Sequence, residues 1–352
     1  MRSRRSMMTV GAAVAALALL SACSQQAAQS TGEADGDKAL VVACGAQEDW
    51  CQAMTAAFEA KTGIDTNYVR LSSGEAVARL EASKDNPEFD VWHGGPADGY
   101  SAAHEAGLLE PYTSETTDQI PDRFKDPEGY WTGVYIGVLG FCSNTDVLKE
   151  LGIDAPESWE DLLDPALQSQ VGIAHLGTSG TSYTALWTQV LLNDGDEDAA
   201  LDYMKQLNSN VLQYSKSGSA PGQQAGRGEV AVGVIFTHDC VKYQDEGLTS
   251  LVVTTPSEGT GYEIGGVAAI AGAHHPSAAQ QYIDFAASIE GQEIGPTVGS
   301  YQIPTNPGAT VSPKSIKESD VTLVDYDAVA AGLEKSNLVA RFDTEIATAP
   351  TE

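Results

Sequence analysis

Three small residues, Ser179-Gly180-Thr181, come directly after a predicted strand and begin a predicted helix. The first backbone N–H groups of a helix have no partner within it, and the helix dipole places about half a positive charge there. Such a helix start can hold an anion, and the hydroxyls of Ser179 and Thr181 add neutral donors. The alternative is an ordinary helix cap made by Thr178 or Ser179.

A second polar group follows the apolar run at 230–236. His238 and Asp239 come at the end of this predicted strand. Both side chains are of types that can form hydrogen bonds with the hydroxyls of a sugar or polyol. Glu263 opens a later apolar strand, where its carboxylate can accept two hydroxyl protons. Glu258 competes for this role but lies in a glycine-rich turn. The alternative interpretation of His238 is a residue that caps a strand beside a surface aspartate.

Smaller polar residues after other predicted strands are candidates for the same site. Ser217 and Ser219 lie in the segment SKSGSAP, where turn residues are the alternative interpretation. Gly95 follows a strand and allows the backbone to approach a ligand closely. Ser73 and Gln47 lie after two further strands and complete the candidate ligand-binding set.

Known catalytic and metal-binding motifs are missing from the sequence. It contains no HExxH, P-loop or dinucleotide-binding fingerprint, and its acidic residues form no recognisable catalytic frame. His274 and His275 precede a proline in a predicted turn, so we interpret them as solvated. We therefore expect a binding protein and not an enzyme, with no cofactor and no metal site.

The amino terminus predicts export. Arg2, Arg4 and Arg5 precede an apolar run at 10–20, which is followed by Leu-Ser-Ala and Cys23. A basic start, a short apolar run and small residues before a cleavage site are typical of an export signal. The run is too short for a transmembrane helix, which needs about 20 apolar residues. The cysteine resembles that of a bacterial lipobox, which implies a lipid on Cys23; the alternative is an ordinary signal peptide that ends near a cysteine.

The net charge excludes one class of partner. It is -30 for the whole chain and becomes about -33 once the three arginines of the signal are removed. A nucleic-acid-binding protein needs a basic face, so this function is excluded. An anionic ligand would be repelled by the long-range field, and local donors would have to hold it.

Four cysteines remain after Cys23, and an even number outside the cytoplasm suggests disulfides. Three pairings are possible. We expect Cys44–Cys51, whose members are close in sequence, and Cys142–Cys240, whose members lie on or just after apolar strands. The alternative is buried free thiols, since the spacing fits no zinc module.

Strands and helices alternate along the chain, which predicts a mostly parallel sheet with helices on both faces. About 315 residues follow the polar tether, which is large for one core and suits two lobes. We predict a signal peptide, a tether, and two lobes joined by crossing strands near 135–141 and 262–267. The boundaries are 1–22 for the signal, 23–38 for the tether, 39–137 with 262–307 for the first lobe, and 138–261 with 308–352 for the second.

Six segments, in chain order, resemble one protein family. They are SSGEAVARLEASKDNPEFDVWHGG (72–95), GVLGFCSNTDVLKELGIDAPESWEDLLDP (137–165), SGTSYTALW (179–187), SKSGSAPGQQAGRGEVAVGVIFTHD (215–239), EGTGYEIGGVAAIAGAHHPSAAQQYIDF (258–285) and YQIPTNP (301–307). Together they resemble the ferric-, hexose-phosphate- and 2-aminoethylphosphonate-binding branch of the type II periplasmic binding proteins. The resemblance implies two α/β lobes joined by hinge strands, and a monomeric solute-binding lipoprotein that serves an ABC permease on the extracytoplasmic face of the bacterial cell membrane.

The resemblance also bears on the ligand. Ferric-binding relatives place a pair of tyrosines where this chain has His238-Asp239, and they offer an acid near Gly94-Gly95 that is missing here. A His-Asp pair resembles the hexose-phosphate-binding members. We predict a small phosphorylated polyol, a sugar phosphate or an organophosphonate as the ligand; the alternatives are ferric ion and, third, an extracellular enzyme.

Overall fold

The computed structural model of the protein describes residues 38–348. The predicted signal peptide and Cys23 lie outside these residues. Within the described range, no helix has both the length and the apolar character that crossing a membrane requires.

The first lobe alternates short strands with helices, as the apolar pattern predicts. Its helices have clear boundaries: α1 ends at Gly63, which adopts the left-handed conformation (φ 74°), and α2 begins with a capping box between Ser72 and Glu75. The elements are β1 (Ala39–Cys44), α1 (Glu48–Thr62), β2 (Asp65–Arg70), α2 (Ser73–Ala82), β3 (Val91–Pro96), α3 (Ala97–Glu105) and β4 (Leu109–Glu110).

The long strand β5 (Thr132–Asn144) leads into the second lobe, and the chain later returns to the first. Asn144 caps the helix that follows by accepting from the N–H groups of Asp146 and Val147. The second lobe contains α4 (Thr145–Leu151), β6 (Val171–Ala174), α5 (Gly180–Leu192), α6 (Glu197–Leu207), β7 (Val211–Ser215), α7 (Ala220–Gly226), β8 (Val232–Phe236), α8 (Thr237–Asp245) and β9 (Leu251–Thr254). The returning chain forms β10 (Tyr262–Ile270), α9 (Pro276–Ala287), α10 (Ile289–Gln292), β11 (Ile303–Pro304) and α11 (Ala328–Glu345).

Strand β5 belongs to the sheets of both lobes. In the first lobe the strand order is β2-β1-β3-β10-β5, and in the second it is β5-β8-β6-β7. Gly137 on β5 pairs with Glu263 on β10, and Leu139 pairs with Phe236 on β8. The two predicted α/β lobes with crossing strands are confirmed. Because β5 pairs with both β10 and β8, it brings the start of β10, which carries Glu263, close to the end of β8.

Both predicted disulfides are present. Cys44 at the end of β1 is bonded to Cys51 on α1, with their Cα atoms 6.0 Å apart. Cys142 on β5 is bonded to Cys240 on α8, with a Cα separation of 5.6 Å. The second bond ties the shared strand to the helix that carries His238 and is buried in an apolar cluster of the second lobe.

Two local predictions were wrong. His238 and Asp239 lie in the first turn of α8 and not at a strand end, because the helix begins at Thr237 directly after β8. Strand β3 continues through Gly94 and Gly95, whose positive φ values of 87° and 90° let the backbone bend without ending the pairing. Ser217 and Ser219 themselves lie in a bend and a turn, before the short helix α7 with Pro221 in its first turn.

Candidate functional site

Six helices begin at one cavity between the two lobes. Their cap residues all line it, and about 490 Å³ is free of protein atoms, including the part open to solvent. Three of these helices belong to each lobe, and all six direct their positive ends towards the same space. The cap residues are Gln47 of α1, Ser72 of α2, Pro96 of α3, Ser179 of α5, Ser219 of α7 and Phe236 of α8.

The eleven residues predicted to bind the ligand all line this cavity. Glu263 is among them, whereas Glu258 is not: its Oε1 accepts from the backbone N–H of Trp159 at 2.6 Å. Contact with a ligand stays a prediction for each of the eleven. From the first lobe and its returning strand they are Gln47, Ser73, Gly95 and Glu263, and from the second lobe Ser179, Gly180, Thr181, Ser217, Ser219, His238 and Asp239.

The start of α5 is left without a side-chain cap. Ser179 occupies the cap position, but its hydroxyl makes no capping bond and is buried without a hydrogen-bond partner among the described residues. The backbone of Gly218 lies directly against this start: a Cβ there would come within 2.7 Å of Ser179 Oγ and 2.1 Å of Thr181 Oγ1. The ordinary-cap interpretation is therefore wrong for the Ser179 side chain.

His238 is buried, which favours its neutral form, and one of its ring nitrogens has no hydrogen-bond partner within residues 38–348. Burial lowers the pKa of its imidazole, and the nearby Asp239 only partly opposes this effect. Its Nδ1 is buried with no partner within residues 38–348, and its Nε2 is 3.7 Å from Asp239 Oδ1, too far for a hydrogen bond. The ring is thus available to a ligand as both a donor and an acceptor.

The side chains of Glu263 and His238 both lie against Gly137 of strand β5. A Cβ on Gly137 would lie 2.7 Å from both Glu263 Oε1 and His238 Cε1, so only glycine leaves room for the two side chains. Burial raises the pKa of the Glu263 carboxyl well above its usual range, and the charge of Asp239 adds to the effect. A protonated Glu263 donates as well as accepts, which differs from the acceptor role that its position alone suggested.

The two lobes contact each other directly around the cavity. A backbone bond joins them where Gly74 N–H at the start of α2 donates to Thr178 O at 3.1 Å. Residues from opposite lobes thus hold one another in a closed arrangement. The side-chain contacts are Gln47 Nε2 donating to Asp239 Oδ1 at 3.0 Å, Arg70 Nη2 donating to Ser217 Oγ at 3.3 Å, and the ion pair of Lys242 with Asp49.

Arg70 is a cavity residue that sequence reasoning missed, since the donors predicted for the anion were backbone N–H groups and hydroxyls. It is the last residue of β2, and its Nε also donates to Ala46 O at 3.2 Å. The signal that could have found it is its position, because ligands of α/β sheets bind outside the carboxyl ends of the strands. A single arginine at a strand end forms no motif, and it went unnoticed for that reason.

The described residues offer little to a metal ion. No group of three or more His, Cys, Asp or Glu side chains within 38–348 is arranged to hold one. Asp239 and Glu263 are the two carboxylates of the cavity, and burial favours the neutral form of the second.

Comparison with known proteins connects this geometry to a family. The model of a bacterial extracellular solute-binding protein family matches residues 53–322. The periplasmic binding protein AfuA from Actinobacillus pleuropneumoniae, solved with exogenous fructose-6-phosphate bound, is 42% identical, with a TM-score of 0.85 over 88% of this chain and 99% of its own.

Two further solved structures are similar. The periplasmic binding protein P5PA is 32% identical, with a TM-score of 0.84 over 88% of this chain and all of its own. Iron-bound HitA from Pseudomonas aeruginosa is 21% identical, with a TM-score of 0.75 over 88% and 99%, and at this identity it shows the fold alone. The cavity between two α/β lobes is the arrangement expected of a protein that binds a solute, and the family model matches most of the chain. The chain belongs to the bacterial extracellular solute-binding proteins.

Proposed function

We propose that this protein captures a small phosphate or phosphonate ester that carries hydroxyl groups, such as a sugar phosphate, and delivers it unchanged to the permease of an ABC importer. The observation that carries the proposal is the convergence of helix starts on one cavity. Five of these helices have nine residues or more, so each presents a developed dipole to the ligand. The start of α5, with its uncapped Ser179, is suited to the anionic head.

Unpartnered buried atoms support a polar ligand in this place. Ser179 is 4% exposed and His238 is 8% exposed, yet Ser179 Oγ and His238 Nδ1 have no hydrogen-bond partner among the described residues. Leaving such a buried group unsatisfied costs about 1–3 kcal/mol. A ligand with a phosphoryl oxygen near Ser179 and a hydroxyl near His238 would satisfy both.

The carboxylate side of the cavity supports a ligand body with hydroxyls. Asp239 accepts from hydroxyl groups, and a protonated Glu263 can donate to one hydroxyl while it accepts from another. AfuA was solved with fructose-6-phosphate, a ligand that has both an anionic head and such a body. A ferric ion would use only hard oxygen ligands, and the hydroxyl donors would have no role except through a bound anion.

A thermal-shift screen tests the proposal. The panel contains fructose 6-phosphate, glucose 6-phosphate, glycerol phosphate, 2-aminoethylphosphonate, the unphosphorylated sugars and ferric citrate. We expect stabilisation by at least one phosphate or phosphonate ester, since a ligand that binds only the folded protein raises its melting temperature. Stabilisation by ferric citrate alone would instead support the iron-binding alternative.

The same proposal includes a lipid on Cys23 as the attachment to the membrane. Its support is the sequence Leu-Ser-Ala-Cys after a short apolar run. Mass spectrometry of the protein from a membrane fraction should find the amino-terminal peptide starting at a diacylglyceryl-modified Cys23. An unmodified amino-terminal peptide starting elsewhere would contradict it.

A further inference from the structure

Arg70 differs from the other arginines of residues 38–348 in its partners. The other four each form an ion pair with at least one carboxylate, whereas Arg70 donates only to the neutral oxygens of Ala46 and Ser217. The paired arginines are Arg79 with Glu88, Arg123 with Glu318, Arg227 with Glu229, and Arg341 with Glu197, Asp198 and Glu345.

The isolation of Arg70 is unusual for its surroundings. The chain has 49 acidic residues against 19 lysines and arginines, so a carboxylate partner is easy to supply. Arg70 is half-buried, and among the described residues it is the only lysine or arginine that lines the cavity. The charge of Arg70 helps to lower the pKa of Glu75, but Arg70 forms no salt bridge with that carboxylate. A half-buried charge without a directly paired counter-charge is unfavourable, so its persistence here points to a partner from outside the chain.

The donors that remain free on Arg70 suit an anion. A guanidinium has five N–H donors in a planar fork, and two are used by Ala46 and Ser217. Such a fork binds phosphate through two parallel bonds, which a lysine cannot do. Ser217 Oγ, the oxygen that Arg70 contacts, is 3.2 Å from Ser219 Oγ at the start of α7, so neutral hydroxyl donors lie beside the guanidinium.

We propose that Arg70 is the counter-cation of the ligand's anionic head and the residue that selects phosphorylated over unphosphorylated ligands. This inference rests on the proposed function and adds a residue to it. Arg70 belongs to the first lobe and Ser217 to the second, so an anion held by both ties the lobes together. Recognition of the head group is thereby coupled to closure of the cleft.

Calorimetry on variants at this position tests the inference. The probes are fructose 6-phosphate, fructose and inorganic phosphate, each titrated into the parent, Arg70→Gln and Arg70→Lys. Arg123→Gln is the matched control: it removes the same charge from an arginine whose side chain is 66% exposed and lies outside the cavity. The melting temperature of each variant shows whether it is folded.

We expect Arg70→Gln to weaken fructose 6-phosphate binding about 10- to 150-fold, the loss typical of a hydrogen bond to a charged group. Arg70→Lys should fall between the parent and Arg70→Gln, and fructose affinity should change less than about twofold in all variants. Unchanged fructose 6-phosphate binding by folded Arg70→Gln overturns the inference alone. A parent that prefers fructose overturns both the proposed function and the inference. A parent that binds inorganic phosphate as tightly as fructose 6-phosphate shows that the sugar contributes no affinity, which contradicts the proposed function.

Discussion

Gln47 of the first lobe donates its side-chain N–H to Asp239 of the second lobe at 3.0 Å, so two residues predicted to bind the ligand also bind each other. A hydroxyl of the ligand that approaches Asp239 competes with Gln47 for the same carboxylate. The contact also makes the closed arrangement of the lobes sensitive to the charge at this point. Gln47 therefore offers a way to test closure separately from recognition of the head group.

Gln47→Glu should hold the cleft open. The change sets two carboxylates against each other at the distance of the present hydrogen bond, and like charges that close repel strongly. We expect a larger radius of gyration in X-ray scattering and weaker binding of fructose 6-phosphate. Gln52→Glu is the matched control, since Gln52 is an exposed residue on the same helix. Identical scattering curves for the parent and Gln47→Glu would argue against closure through this contact.

Thr181→Val should remove affinity for the anionic head. The change keeps the shape of the side chain and removes one hydroxyl donor, which costs about 1–3 kcal/mol when the bond is to a charged group. Calorimetry with fructose 6-phosphate measures the loss. Thr184→Val on the same helix is the control, because its hydroxyl donates to Gly180 O at 3.0 Å within the helix and Thr184 does not line the cavity. Equal affinity in the parent and Thr181→Val would mean that the head group lies elsewhere.

Gly137→Ala should displace the groups that hold the ligand body. The new methyl would meet Glu263 and His238 at 2.7 Å, closer than Cβ atoms approach their neighbours in proteins. We expect at least a tenfold loss of fructose 6-phosphate affinity in a protein that still folds. Gly140→Ala is the comparison on the same strand: its methyl would meet Thr254 O at 2.6 Å and Thr237 Cγ2 at 2.7 Å, so it should reduce stability while it contacts neither His238 nor Glu263. The same affinity loss in both variants would show that the strand, and not the site, was disturbed.

His93 should contribute to the acid sensitivity of the fold. It is fully buried beside Tyr282, and burial lowers the pKa of its imidazole from 6.5 to about 3. The unfolded chain takes up a proton near pH 6.5 and the folded protein does not, so stability from this group is complete above that pH and falls as the pH drops towards 3.

Melting temperatures between about pH 6.5 and about pH 4 check this prediction. His93→Gln lacks the titrating group, so the difference in melting temperature between the parent and this variant should shrink as the pH falls. His274→Gln, at an exposed histidine, is the control and should follow the parent. A constant difference between the parent and His93→Gln at every pH would contradict the assignment.

Part of this site could be predicted from the sequence because local patterns carry it. Ser179 and Thr181 stand between an apolar run and a helical one, and the requirement for free N–H groups at a helix start is local. The start of α8 could not be found in the same way, because β8 runs into Thr237 with no glycine or proline to mark the boundary. The partnership of Gly137 with Glu263 depends on which strands pair, and a single sequence does not state that.

The raised pKa of Glu263 was also beyond the sequence. An acid that opens a strand looks like an acceptor, and only its burial beside Asp239 raises the pKa of its carboxyl and so favours the protonated form, which can donate. Ligand discrimination among polyol phosphates should follow from this donor, since a site with buried polar groups rejects a ligand that leaves them unpaired.

The central claim is that the cavity holds an anionic head and a hydroxyl-bearing body together. Calorimetric titration of the parent with fructose 6-phosphate and with fructose, in the same phosphate-free buffer, tests it most directly. We predict that the phosphorylated sugar binds at least about 100-fold more tightly, because the start of α5 and Arg70 contribute only to the ligand that carries the anion. Equal or tighter binding of fructose would contradict the account.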